Sequence, residues 1–201
     1  CLSDWSSDVC SSDLAPFKIG KDYTAHRDLL HSPEHRHLAA AAMRYTLTSG
    51  PANHYLNGKM LVGDDTNVVA SDLNTLSHGL RHPALTLQND AKTIMHVTSA
   101  YDHTSPLEKI REAKVGQKFT TNRFMSTTTN PGKFFVANFK VHFHLPAGYN
   151  KGVWVAPISY HPSEMEFLMD RNQSFEKFRS NTMEDGHKEV VHLRPIEDPK
   201  K

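Results

Sequence analysis

Three short stretches carry residue types that could do chemistry. Phe124-Met125-Ser126-Thr127-Thr128-Thr129 strings hydroxyls behind an aromatic ring, and Glu164-Met165-Glu166 sets two carboxylates two positions apart. His96 lies in the middle of the β-branched run 92–100. On an extended strand residues i and i+2 share a face, so the spacing predicts that Glu164 and Glu166 project together while Met165 points away. Two like charges make a poor core, because they repel and burial raises the pKa of one of them. The pair is therefore either a solvated edge or a working site for stabilising a cation or moving a proton. The hydroxyl run alone says less, since Thr favours strands anyway. His96 is likewise open to two readings, a satisfied core histidine or a hydrogen-bonding group whose pKa permits either charge state.

The elements that must position these residues fall into two halves. Residues 15–80 read as mostly helical: Ser32 as N-cap, Pro33 at the first helical position, Ala39 to Ala42 continuing the helix and Gly50 ending it. The stretch 51–61 reads as a short second helix, and Val68, Val69, Leu73, Leu76 and Leu80 recur at helical spacing. After a strand over 92–100 and a helix over 105–116, strands are expected at 118–129, 139–145, 152–158, 164–170, 174–183 and 188–196. Their separators include Pro131-Gly132, Pro146, Gly148, Pro162, Asn172 and Gly186. Helices first and strands afterwards predict an α+β fold, with N-terminal helices packed on a two-sheet antiparallel or mixed β core.

Composition narrows the function classes. The 201 residues suit one domain, expected over 15–201, with 38% hydrophobic and 22% charged residues. Lys and Arg total 23 against 22 Asp and Glu, so there is no global basic field for nucleic acid. The region of Lys114, Lys118 and Arg123 also lacks interleaved aromatics, although a nucleic-acid acceptor stays open. No apolar run approaches the ~20 residues of a membrane helix, no secretory signal is visible, and action in a cytoplasm is expected. Both cysteines, Cys1 and Cys10, lie within 1–14, a Ser- and Asp-rich stretch read as non-native or disordered. The rest of the chain then has no thiol nucleophile and no cysteine zinc site. The 14 histidines invite a metal reading, but His35 and His37 would diverge on a helix and no convergent ligand set is apparent, so no metal is expected.

Taken in order, these stretches resemble the mono-ADP-ribosyltransferases of the arginine–serine–glutamate class, which includes bacterial exoenzyme toxins and phage-encoded host-modifying enzymes. RFMSTTTNPGKFF resembles that family's Ser-Thr-Ser region, with Thr128 where a second Ser is usual. VHFHLPAGYNKGVWV resembles the strand, turn and strand that follow, and HPSEMEFLMDRNQSFEKF the Glu-x-Glu strand. Upstream, RYTLTSGPANHYLNGKML places Tyr45 and Asn53 at the family's Tyr and Asn positions. The family's arginine would fall in Ile94-Met95-His96-Val97-Thr98, where this chain has His96. A related class, typified by diphtheria-like toxins, uses a histidine on this strand to hold a ribose of NAD.

The resemblance implies an NAD-dependent enzyme that releases nicotinamide and passes ADP-ribose to a target protein, most simply to an arginine. It implies Glu166 as the carboxylate at the reacting ribose and Glu164 as the group that orients the acceptor. Ser126 would bind the ribose and Glu166, while Thr127 and Thr128 would form the pocket wall. His96, Tyr45 and Asn53 would join them, with Arg123 and Lys133 supplying charge near the diphosphate. Phe134 would lie against a ring unless it is ordinary core, and Tyr160 would be an exposed aromatic touching the target. Hydrolysis of NAD by water, or a catalytically silent module that kept the fold, are the alternatives.

Overall fold

The computed structural model describes residues 23–58, 65–85, 93–98, 106–128, 139–146, 149–182 and 189–196. The segment 1–14 and the loop carrying Lys133 and Phe134 lie outside the described residues, as do the side chains of 93–98.

A helical layer comes first: α1 (Tyr23–Leu30), α2 (Arg36–Leu47), α3 (Gly50–Leu56) and α4 (Asp65–Gly79). Ser32 is extended at φ −64° and ψ 153°, and Pro33 opens a 3-10 turn, Pro33–His35, that feeds α2. Ser32 thus caps by backbone position, without a side-chain cap bond. Gly50 does not end α2 as expected. The helix stops at Leu47, Thr48 is extended, and Gly50 opens α3 with Pro51 in its first turn, where a missing N–H costs nothing.

The strands are β1 (Thr93–Thr98), β2 (Lys118–Thr121), β3 (Met125–Thr128), β4 (Phe139–Leu145), β5 (Gly152–Trp154), β6 (Glu166–Met169), β7 (Gln173–Thr182) and β8 (Glu189–Pro195), with α5 (Pro106–Glu112) between β1 and β2. The stretch 118–129, expected as one strand, is two. It breaks at Asn122-Arg123-Phe124, where the Asn172 N–H bonds the Thr121 carbonyl at 2.6 Å. β2 then pairs with β7, while β3 pairs with β1 and β6. β5 is likewise shorter than expected, because Pro157 turns the chain into the 3-10 segment Ala156–Ile158.

The strand order is β2-β7-β8-β4-β1-β3-β6-β5, antiparallel except for β4–β8 among the described pairs. Among the described residues β1 and β3 meet at His96↔Thr128. That junction divides the ladder into a five-stranded and a three-stranded part, which is the expected two-sheet core. Two apolar clusters fill the layers. Phe143, Phe167, Phe175, Trp154, Met169 and Val191 lie between the sheets. Leu38, Ala41, Leu73, Leu76, Val153 and Leu168 join the helices to the three-stranded sheet. The alternation along β6 follows: Phe167 and Met169 enter the first cluster and Leu168 the second.

Candidate active site

By the same alternation Glu166 shares the face of Leu168, toward the helices. On β3 its register partner is Thr128, and Ser126 stands opposite Leu168. One rung of the sheet thus runs His192, His142, His96, Thr128, Glu166 across β8, β4, β1, β3 and β6. Hydroxyls and a carboxylate meet where the two sheets join.

Glu166 is 4% exposed. The Ser126 and Ser159 hydroxyls and the Glu164 charge lie close enough to act on its carboxylate. Burial pushes its pKa from 4.5 to about 7; the Ser126 hydroxyl pulls it back, the Glu164 charge raises it, and Ser159 lowers it. A buried carboxyl whose pKa is raised toward neutrality is suited to acid–base work or to balancing a developing cation. Tyr45 on α2 is buried, with its ring edge-to-face on Phe124 at 5.6 Å. Burial raises its phenol, the Glu166 charge raises it further, and the Arg123 charge lowers it. Tyr45 therefore stays a neutral phenol near Glu166. Arg123 Nε donates to the Asn57 side-chain oxygen at 3.2 Å, which anchors the cation near the site.

Glu164 reaches the site by a route other than the one expected. Residues 164–166 are not a strand triplet. Pro162–Glu164 is a 3-10 turn, Met165 adopts the left-handed conformation at φ 52°, and β6 begins at Glu166. Pro162 fixes the turn, and the bond from Met165 N–H to the Pro162 carbonyl at 3.2 Å closes it. Thr128 Oγ1 donates to the Glu164 carbonyl at 2.6 Å, tying the turn to β3. The two carboxylates still interact, as the effect of Glu164 on Glu166 shows. Tyr160, 53% exposed, crowns the turn with its ring edge-on to His161 at 4.9 Å. Its N–H donates to Thr46 Oγ1 of α2 at 2.9 Å.

Of the residues singled out from sequence, Glu166, Ser126, Thr128, Glu164, Tyr45 and Arg123 come together. Thr127 does not: it is buried on the other face and its hydroxyl donates to the Phe167 carbonyl at 2.6 Å, so it braces β3 against β6. Asn53 is half-buried on α3, one turn before Asn57. His96 is placed by backbone register alone, and Lys133 and Phe134 lie outside the described residues. Sequence reading missed Ser159 and Asn57. Ser159 carried no signal beyond membership of a turn, whereas Asn57 follows Asn53 at helical spacing. Among the described residues no group of three or more His, Cys, Asp or Glu could hold a metal, and no helix is long and apolar enough to cross a membrane.

The sequence model of the ADP-ribosyltransferase exoenzyme family matches residues 79–194, which span His96, Ser126, Glu164 and Glu166. The chain belongs to that family. Solved structures agree on the fold. An ADP-ribosyltransferase of Clostridium botulinum superposes with a TM-score of 0.69 at 14% identity, covering 92% of this chain and 99% of that one. An ADP-ribosyltransferase toxin from Paenibacillus larvae gives 0.65 at 18% identity, covering 88% and 92%. A protein of S. aureus, solved with NAD, gives 0.64 at 11% identity, covering 87% and 92%. No curated protein sequence matches the chain. For this ADP-ribosyltransferase, NAD is the substrate that family membership brings.

Proposed function

We propose that this ADP-ribosyltransferase moves ADP-ribose from NAD to an arginine of a protein acceptor and releases nicotinamide. The observation that carries the reading is the pairing of a buried Glu166 with a second carboxylate, Glu164, on a surface turn. The bond between nicotinamide and ribose breaks with its electron pair leaving on nicotinamide, which puts positive charge on the ribose. An ionised Glu166 stabilises that charge in a site from which water is largely excluded. Ser126 and Tyr45 stand near the carboxylate and offer donors to ribose hydroxyls. Arg123, steadied by Asn57, supplies positive charge for the diphosphate.

Glu164 faces the acceptor. A guanidinium stays protonated at neutral pH, so it needs a carboxylate to bind it and to take a proton as its nitrogen attacks the ribose carbon. Tyr160 gives the acceptor protein an aromatic surface to dock on. His96 is assigned to the ribose side in place of the family's arginine. Its support is the rung that sets it beside Thr128, whose other neighbour is Glu166.

Incubating the protein with NAD labelled in the adenylate, plus a cell extract, tests the reading. Label on protein arginine is the expected result. Release of free ADP-ribose without protein label would reassign the protein as an NAD hydrolase. No consumption of NAD would leave a silent binding module.

A further inference from the structure

Two of the 14 histidines meet the base of the turn that carries Tyr160 and Glu164, and both come from the α1 end of the chain. β5, which leads into that turn, is the outermost strand beside β6. The Val155 N–H bonds the Glu166 carbonyl at 3.0 Å, and the Lys151 carbonyl accepts the Asp170 N–H at 2.9 Å. The backbone groups of Lys151 and Val155 thus face β6, and by alternation the Trp154 carbonyl faces the open edge. His26 of α1 meets it there. Its Nε2 lies 2.9 Å from the Trp154 carbonyl oxygen, so Nε2 carries the proton and donates. His26 is 6% exposed, and its ring lies tilted 5.9 Å from the Trp154 indole. Three residues further on, in the 3-10 segment Ala156–Ile158, the Pro157 carbonyl accepts from His31 Nε2 at 3.2 Å. Leu30 packs in the same apolar cluster as Val155 and Ile158. The far side of the turn is held separately, by the Tyr160 N–H on Thr46 and the Thr128 hydroxyl on the Glu164 carbonyl.

We propose that His26 and His31 are positioning residues: through them α1 fastens the base of the turn carrying Tyr160 and Glu164, and so favours transfer of ADP-ribose to the protein acceptor over its loss to water. This rests on the reading of that turn as the acceptor-facing surface. The two carboxylates depend on the fastening unequally. Glu166 is placed by the pairing of β6 with β3, which the histidines do not touch. Glu164 sits on the turn, and a turn loose at its base presents that carboxylate in more positions, few of which suit a bound guanidinium. Water needs no such placement. Loosening the base therefore spares the step at the ribose and costs the step at the acceptor.

The test measures, in the full chain, how labelled NAD divides between protein-bound and free ADP-ribose. In His31→Ala the ratio of labelled protein to free ADP-ribose is expected to fall roughly twofold to tenfold, the equilibrium factor of one neutral hydrogen bond, with KM for NAD unchanged. His26→Leu fills the space without the donor and is expected to show a fall of the same order. Gln at either position offers an N–H at similar reach and is expected to restore the ratio. A merely structural role would lower Tm and leave the ratio alone. An unchanged ratio in the folded variants overturns the proposal, as does a fall that Gln does not restore. His31 is exposed and carries the test alone should His26→Leu not fold. Amide hydrogen exchange supplies a readout independent of activity: the Tyr160 N–H is expected to exchange faster in His31→Ala, while the Phe175 amide of β7 keeps its rate. Unchanged Tyr160 exchange overturns the fastening. The two readings fail separately. A wild-type protein that labels no protein defeats the acceptor reading, and faster Tyr160 exchange in the variant then supports the fastening on its own.

Discussion

Replacing Glu166 by Gln is expected to make the protein more stable as well as inactive, and the gain is expected to grow with pH. The carboxyl's pKa is about 7 in the folded chain against 4.5 for an ordinary Glu. Between those values the native state holds a proton that the unfolded chain has lost. The unfolded chain therefore binds fewer protons, and stability falls as pH rises through this window, levelling off above about 7. The shift of about 2.5 units (7 − 4.5) corresponds to roughly 3 kcal/mol of stability lost once Glu166 is fully ionised. Gln has nearly the same shape and never ionises, so it escapes that loss. For a chain of this size, roughly 3 kcal/mol corresponds to about 6–12 °C in Tm. Thermal unfolding of wild type and Glu166→Gln, from pH 4 to 8.5, is the assay, alongside consumption of NAD. The difference in Tm is expected near zero at the acid end and largest at the alkaline end, where wild type is most active and the variant is silent. A difference that does not change with pH would refute the burial argument. A variant that still consumes NAD at the wild-type rate would refute the role of the carboxylate.

Glu164→Gln is expected to abolish protein labelling while free ADP-ribose is still released, because the charge it loses serves the acceptor; equal loss of both, measured with labelled NAD, defeats that division of labour. Tyr160→Ala removes a half-exposed ring and is expected to change stability by no more than about 0.5 kcal/mol, yet to lower the rate of protein labelling relative to NAD hydrolysis. Proportional falls in the two rates would remove Tyr160 from the acceptor surface. Gly152→Ala on β5 is expected to destabilise by about 1–3 kcal/mol in urea unfolding. Its Cβ would sit 2.6 Å from the Phe167 ring and 2.9 Å from the Leu168 carbonyl, and the latter is backbone that cannot step aside. Wild-type stability in that variant would show that β5 and β6 separate more readily than their packing indicates.

What the sequence made legible was whatever is decided locally. Pro33 and the alanine run located α2, and the β-branched and aromatic runs located each strand of the second half. Where partners decide, it misled. Residues 118–129 are rich in Thr and Phe and read as continuous across Asn122 and Arg123; they split there because Thr121 and Met125 pair with different strands. Glu164-Met165-Glu166 looked like an alternating strand, and Pro162 hinted at a turn, but a left-handed Met165 is rare enough that pattern reading passes over it.

The electrostatic expectation for the carboxylates survived the loss of its geometric premise, for a physical reason. The spacing argument required both groups to share a strand face; in the structure they interact because a turn folds Glu164 back toward the start of β6, secured by the Thr128 hydroxyl on the Glu164 carbonyl. A strand would have fixed both carboxylates rigidly on one surface. The turn instead buries one, where burial raises its pKa, and leaves the other half-exposed at the surface. That asymmetry is what the proposed division of labour draws on: burial raises the pKa of Glu166, while Glu164 stays within reach of solvent and of an acceptor.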